Sequence, residues 1–189
     1  MIEKVTLVER NVNCANITKN EFIQAIKEIV TEAMDAWYNY QLPQCEEYNK
    51  QYVADQQARI IDFANKKYKR PSYRNAYIEK AISEIDTNKS KPYDLGPVLF
   101  DVEPDRLGTP LNCYINMDNP DRIEKCYEYV KDKPYFRKIT GWKITRHCGF
   151  SSFEFETDPE TKADMDKRVK ELTTAMTDYY SDNNRYYGD

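Results

Sequence analysis

The sequence predicts an α+β fold: a mainly antiparallel β-sheet with an N-terminal three-helix segment and a C-terminal amphipathic helix. Apolar residues recur every three or four positions near both ends of the chain, whereas they alternate with polar residues most clearly over residues 111–117. The predicted order is β-ααα-ββ-α-ββ-α, which groups the strands instead of alternating each one with a helix. We expect one domain, residues 1–189, with sub-regions 1–88, 93–157 and 158–189.

The first sub-region is predicted to begin with a strand and a long amphipathic helix. A run rich in β-branched residues over 2–8 favours the strand. Thr18 and Glu21 have the spacing of a capping box, which predicts the start of the helix. We expect this helix to end near Leu42, because Pro43 lacks the N–H that a helix interior needs.

Two more helices are predicted before residue 88. One spans about 44–68 and ends before Pro71. The other runs to Ile85 and begins at Ser72, whose hydroxyl we expect to cap it. The following run, residues 86–92, is polar and ends in proline, so it is the best candidate for a boundary within the chain.

The second sub-region is predicted to be rich in strands. The expected strands are 98–102, 111–117, 136–146 and 150–156. Pro120 lies in the first turn of a predicted short helix that Pro134 closes. Because this helix joins the strands at 111–117 and 136–146, we expect that these two could pair in parallel.

The third sub-region is predicted to be one helix and a tail. Asp158, Pro159 and Glu160 together indicate a helix start, and the helix is expected to reach about Tyr180 before a polar tail. One stripe of this helix is apolar at steps of four and three, and tyrosines continue it into the tail. Such a stripe more often packs against a sheet, but part of it could instead contact another copy. The candidates for such an interface are Met165, Val169, Leu172, Met176, Tyr179, Tyr180, Tyr186 and Tyr187.

Composition excludes several classes of function. The five glycines are scattered, so the sequence has neither a P-loop nor a dinucleotide-binding fingerprint. No apolar run approaches the ~20 residues that span a membrane, and the N-terminus does not resemble a secretory signal. The five cysteines are odd in number and include no C-x-x-C pair, which favours reduced thiols in the cytoplasm, or in a virion within a reducing host cytoplasm.

Two weak candidates for chemistry are present. His147 and Cys148 are adjacent, but we expect neighbours at a strand end to point to opposite faces, so that they cannot pair. Acidic residues at spacing two could share one face of a strand and bind Mg²⁺ or Ca²⁺ through oxygens. The two such rows are Asp101, Glu103, Asp105 and Glu154, Glu156, Asp158. A solvated outer face explains the acidic rows more simply, so we expect no cofactor and no metal.

A short basic segment lies between two acidic parts of the chain. Residues 66–91 carry eight basic and three acidic side chains, whereas the rest of the chain has a net charge of −9, which gives the total of −4. The cations that interleave with tyrosines here are Lys66, Lys67, Lys69, Arg70 and Arg74. This combination could contact a nucleic-acid backbone or an acidic protein surface.

These observations favour a non-catalytic structural or interaction protein over an enzyme. Sixteen tyrosines and few glycines suit a chain that is held by its contacts with protein partners. We expect a subunit of a homo-oligomer or hetero-assembly, such as a connector or tail ring of a viral particle. The alternatives are an acidic inhibitor or immunity-type binding protein, and a metal-dependent enzyme that uses the strand-end carboxylates.

Overall fold

The structure is a computed structural model that describes residues 4–100, 113–115 and 121–185. The elements are β1 (Val5–Asn11), α1 (Lys19–Lys67), α2 (Pro71–Ser83), β2 (Val98–Phe100), β3 (Cys113–Ile115), α3 (Asp121–Val130), a 3₁₀ turn (Phe136–Lys138), β4 (Ile139–His147), β5 (Phe150–Thr157) and α4 (Pro159–Arg185). The α+β class is therefore confirmed. The chain divides into a sheet unit, residues 1–36 and 95–189, and a helical unit, residues 37–94.

Five strands form one mixed sheet in the order β1-β4-β5-β2-β3. The pairs β1–β4, β4–β5 and β2–β3 are antiparallel, and β2–β5 is parallel. The predicted parallel pair of 111–117 with 136–146 is wrong, because β3 pairs with β2 instead. The parallel pair joins strands far apart in sequence, and the long connection between them supplies the crossover that parallel strands need.

One face of the sheet carries the core of the sheet unit. Trp142 and Ile144 of β4 lie opposite Phe155 and Phe153 of β5 in the antiparallel register. Phe22, near the start of α1, packs its ring against the edge of Trp142 at 5.4 Å between ring centroids. Phe22, Trp142, Ile144 and Phe153 are fully buried. Alternating residues of the strands therefore meet helix α1 in a core of large rings.

Helix α1 does not end at Pro43, so the prediction of separate helices over 18–42 and 44–68 is wrong. Proline removes one backbone hydrogen bond and crowds the preceding turn. Here the Gln44 side chain donates to the carbonyl of Tyr40, at 3.1 Å, and the Gln41 side chain lies 3.3 Å from the carbonyl of Trp37. These bonds flank the carbonyl of Asn39, which is the one that Pro43 leaves without its helical N–H, and they do not replace that bond.

The structure confirms one predicted helix end and corrects two others. The capping box is confirmed, because the Thr18 N–H donates to Glu21 at 2.8 Å. Ser72 does not cap α2: the helix begins one residue earlier at Pro71, and its N-cap, Arg70, makes no side-chain cap bond. The predicted tail begins too early, because α4 continues through Arg185.

Candidate interaction surface

The five basic candidates lie together where the two helices of the helical unit meet. Lys66 and Lys67 occupy the last turn of α1, where lysine complements the helix dipole. Lys69 and Arg70 lie in the connection, and Arg74 is in the first turns of α2. All are exposed except Arg74, which is half-buried. We call these five residues the basic corner.

Most aromatic rings beside the basic corner are already engaged with one another. Tyr77 of α2 lies 5.7 Å from Phe63 and 5.2 Å from Tyr68, measured between ring centroids. The Lys67 ammonium lies 5.0 Å from the centre of the Phe63 ring and 5.5 Å from that of Tyr68. These contacts hold the two helices together and leave Tyr73, which is 61% exposed, as the open ring of the corner.

The cations of the basic corner differ in how they are neutralised. Lys66 pairs with Asp62 one turn earlier, at 2.7 Å. Lys69, Arg70 and Arg74 have no carboxylate within ion-pair distance among the residues that the structure describes. Lys67 lies over two rings and pairs with no carboxylate of the described residues either, so four positive charges of the corner are left for a partner molecule or for solvent.

The helical unit exposes an unusual share of its large apolar side chains. Helix α2 buries no residue, although it carries tyrosines and isoleucines. Nine large hydrophobic side chains of the described residues are exposed, and all but Met34 and Phe150 belong to the helical unit. These seven are Tyr38, Tyr40, Tyr48, Ile61, Phe63, Tyr73 and Tyr93. Three of them, Ile61, Phe63 and Tyr73, lie close in sequence to the basic corner, and apolar side chains exposed beside charge are common at interaction sites.

Buried amides, which the sequence did not predict, fix the polar run after α2 onto α1. The Asn49 side chain donates to the Ser90 carbonyl at 2.8 Å and accepts from the Ser90 N–H at 2.7 Å. Gln41, two turns earlier, makes the same pair of bonds with Tyr93, at 2.8 and 3.1 Å. The available signal was a polar side chain at positions 41, 45 and 49, which share one helix face.

The predicted oligomer seam on α4 is only partly described. Met165 is half-buried in the second turn of the helix. Val169, Leu172, Met176, Tyr179 and Tyr180 belong to α4, but their side chains lie outside the described part of the structure, as do Tyr186 and Tyr187 altogether. Their contact role stays a prediction.

The acidic rows give no metal site in the described residues. Asp101, Glu103 and Asp105 lie outside them. Glu154 accepts from Thr145 at 2.8 Å and pairs with Lys4 at 2.6 Å. Asp158 caps α4, as its sequence context suggested, by accepting from the Thr161 N–H at 2.9 Å. Within residues 4–100, 113–115 and 121–185, no three His, Cys, Asp or Glu side chains are grouped to hold a metal ion.

The expectation that His147 and Cys148 point apart is wrong. The Cys148 sulfur lies 3.4 Å from Nε2 of His147. Cys148 is in the hairpin turn with φ of +47°, so the alternation of side chains along a strand does not apply to it. The two groups therefore touch, on an exposed hairpin tip.

Among the described residues, no helix is both long enough and apolar enough to cross a membrane. Comparison of the chain with protein-family models, with curated proteins and with solved structures found no match.

Proposed function

We propose that this chain is a non-catalytic interaction protein that works as a subunit of a multi-chain assembly. The observation that carries the proposal is the apolar surface of the helical unit, where α2 buries no residue and Tyr73, Phe63 and Ile61 are exposed beside unpaired cations. Tyrosine, phenylalanine and arginine are enriched in protein interfaces. The kind of assembly, for which the sequence suggested a viral connector or tail ring, stays a prediction.

An acidic protein surface suits the basic corner better than a nucleic acid does. Non-specific binding to single strands needs rings whose faces are free to stack on bases. Phe63, Tyr68 and Tyr77 contact one another or Lys67, so Tyr73 is the most exposed ring at the corner. The chain also has a net charge of −4, which opposes the approach of a polyanion.

The test is the mass of the native complex that contains this chain, purified gently from the cells that make it. We expect a discrete stoichiometric complex larger than the 22.4 kDa of one chain. Replacing Ile61 and Tyr73 by serine should shift the chain to its monomer mass, because both exposed side chains would lose their apolar contact area. The matched control is Phe150→Ser, which removes an exposed ring from the sheet unit.

Two results would overturn the proposal. One is a monomer for the natural chain in the native preparation. The other is a complex that Ile61→Ser with Tyr73→Ser leaves intact while Phe150→Ser disrupts it.

A further inference from the structure

The first half of helix α1 presents an acidic surface of the kind that would complement the basic corner. Glu21, Glu28, Glu32 and Asp35 are all exposed. Their separations of seven, four and three residues place them on one side of the helix, and we call them the acidic face. Because a helix rises about 1.5 Å per residue, this face extends for roughly 21 Å.

The acidic face keeps most of its negative charge. Arg10 contacts Glu28, at 3.3 Å, and Glu32, and it is the cation that pairs with this face in the described residues. Hydrogen bonds from Gln24 to Glu28 and from Thr18 to Glu21 lower the pKa of both glutamates, so both are ionised at neutral pH. Four carboxylates against one guanidinium leave a net charge of about −3.

We propose that the basic corner of one copy docks on the acidic face of α1 in a second copy, so that the chain assembles head to tail. The inference rests on the proposed function and names its partner as a second copy of this chain. Unpaired Lys69 and Arg70 then face Glu32 and Asp35 of the second copy. Because the two surfaces differ, each added copy leaves one corner and one face free, which closes a ring or extends a filament.

The test is the mass of the purified full-length chain in solution, measured by light scattering and sedimentation. We expect self-association at about 50 mM salt that weakens strongly at about 500 mM, because exposed charges are then screened. Lys69→Glu with Arg70→Glu should weaken association about tenfold or more, and Glu32→Lys with Asp35→Lys should do the same. Circular dichroism and the thermal midpoint confirm that each variant is folded.

Combining the four substitutions in one chain distinguishes a specific contact from a general effect of charge. Since opposite charges meet again in the combined variant, its self-association should recover. The matched control joins Lys69→Glu and Arg70→Glu to Asp164→Lys and Asp166→Lys, two exposed acids of α4, and should stay monomeric.

Three outcomes would overturn this inference. They are a purified chain that is monomeric at low salt, equal recovery in the control, or a monomer that binds single-stranded oligothymidylate through Lys69 and Arg70. A purified monomer whose native complex still depends on Tyr73 would remove the second copy as partner but leave the proposed function in place.

Discussion

The two units of this chain are stabilised in different ways. In the sheet unit, Phe22, Trp142 and Phe153 fill a core from which water is excluded. In the helical unit, the buried apolar side chains are Trp37 and Ala64, and the buried amides of Gln41 and Asn49 hold the chain instead. Directional hydrogen bonds can fix a backbone without burying apolar side chains, so several rings of the helical unit stay exposed.

The prediction with the largest expected effect tests whether water is excluded from the core of the sheet unit. Cys14 is 1% exposed, and this burial raises the pKa of its thiol from about 9 to about 11. The folded chain holds the thiol proton of Cys14 more tightly than the unfolded chain does. The protonated thiol therefore contributes its full stabilisation below pH 9, and this contribution is lost as the pH rises to 11. Two pKa units correspond to roughly 3 kcal/mol.

The free energy of unfolding, measured in urea at pH 8 and pH 11, should therefore fall less between these two pH values for Cys14→Ala than for the natural chain. The control is Cys45→Ala, which removes a half-buried thiol from the helical unit. If the free energy of unfolding fell equally in the natural chain and both variants, Cys14 would not lie in a core from which water is excluded.

The second effect tests the pair of hydrogen bonds between the Asn49 amide and the Ser90 backbone, which we call the amide clamp. Asn49→Ala removes both bonds to Ser90 and leaves the N–H and carbonyl of Ser90 without these partners. We expect this to lower the free energy of unfolding by about 1–3 kcal/mol. Hydrogen exchange at the Ser90 amide should accelerate in proportion, while exchange at Ile144 in the sheet should change less.

Gln51→Ala is the matched control, because the Gln51 amide bonds only to exposed Asp55 on the same helix. If Gln51→Ala and Asn49→Ala accelerate exchange at Ser90 equally, the clamp does not hold the segment.

Sequence patterns predicted what is local in this chain and missed what depends on distant residues. The capping box of Thr18 and Glu21 was predictable because both partners lie within one turn. The clamp joins Asn49 to a residue 41 positions away, and no periodicity encodes that pairing.

Pro43 and Cys148 show why two local rules failed. The rule that proline ends a helix is a propensity, and the long helical sequence on both sides of Pro43 outweighs it. Cys148 adopts a positive φ that non-glycine residues rarely take, so its contact with His147 could not be read from strand alternation. For the candidate surface, sequence supplied the charges of the basic corner but not the engagement of its rings.

The smallest expected effect separates stability from contact at a single residue. Arg70 is the N-cap of α2 and makes no capping bond, whereas Thr18 and Asp158 cap α1 and α4 with side-chain oxygens. Serine at position 70 can accept from an N–H of the first turn, so Arg70→Ser should stabilise the folded chain by about 0.5–1 kcal/mol.

The same change removes a cation of the basic corner and should weaken assembly. Arg70→Lys, which keeps the charge without adding a cap, should preserve assembly and leave stability unchanged. A chain that keeps a poorer helix cap in exchange for a positive charge is expected if that charge contacts a partner. If Arg70→Ser raised the thermal midpoint and left the mass of the complex unchanged, the basic corner would have no part in assembly.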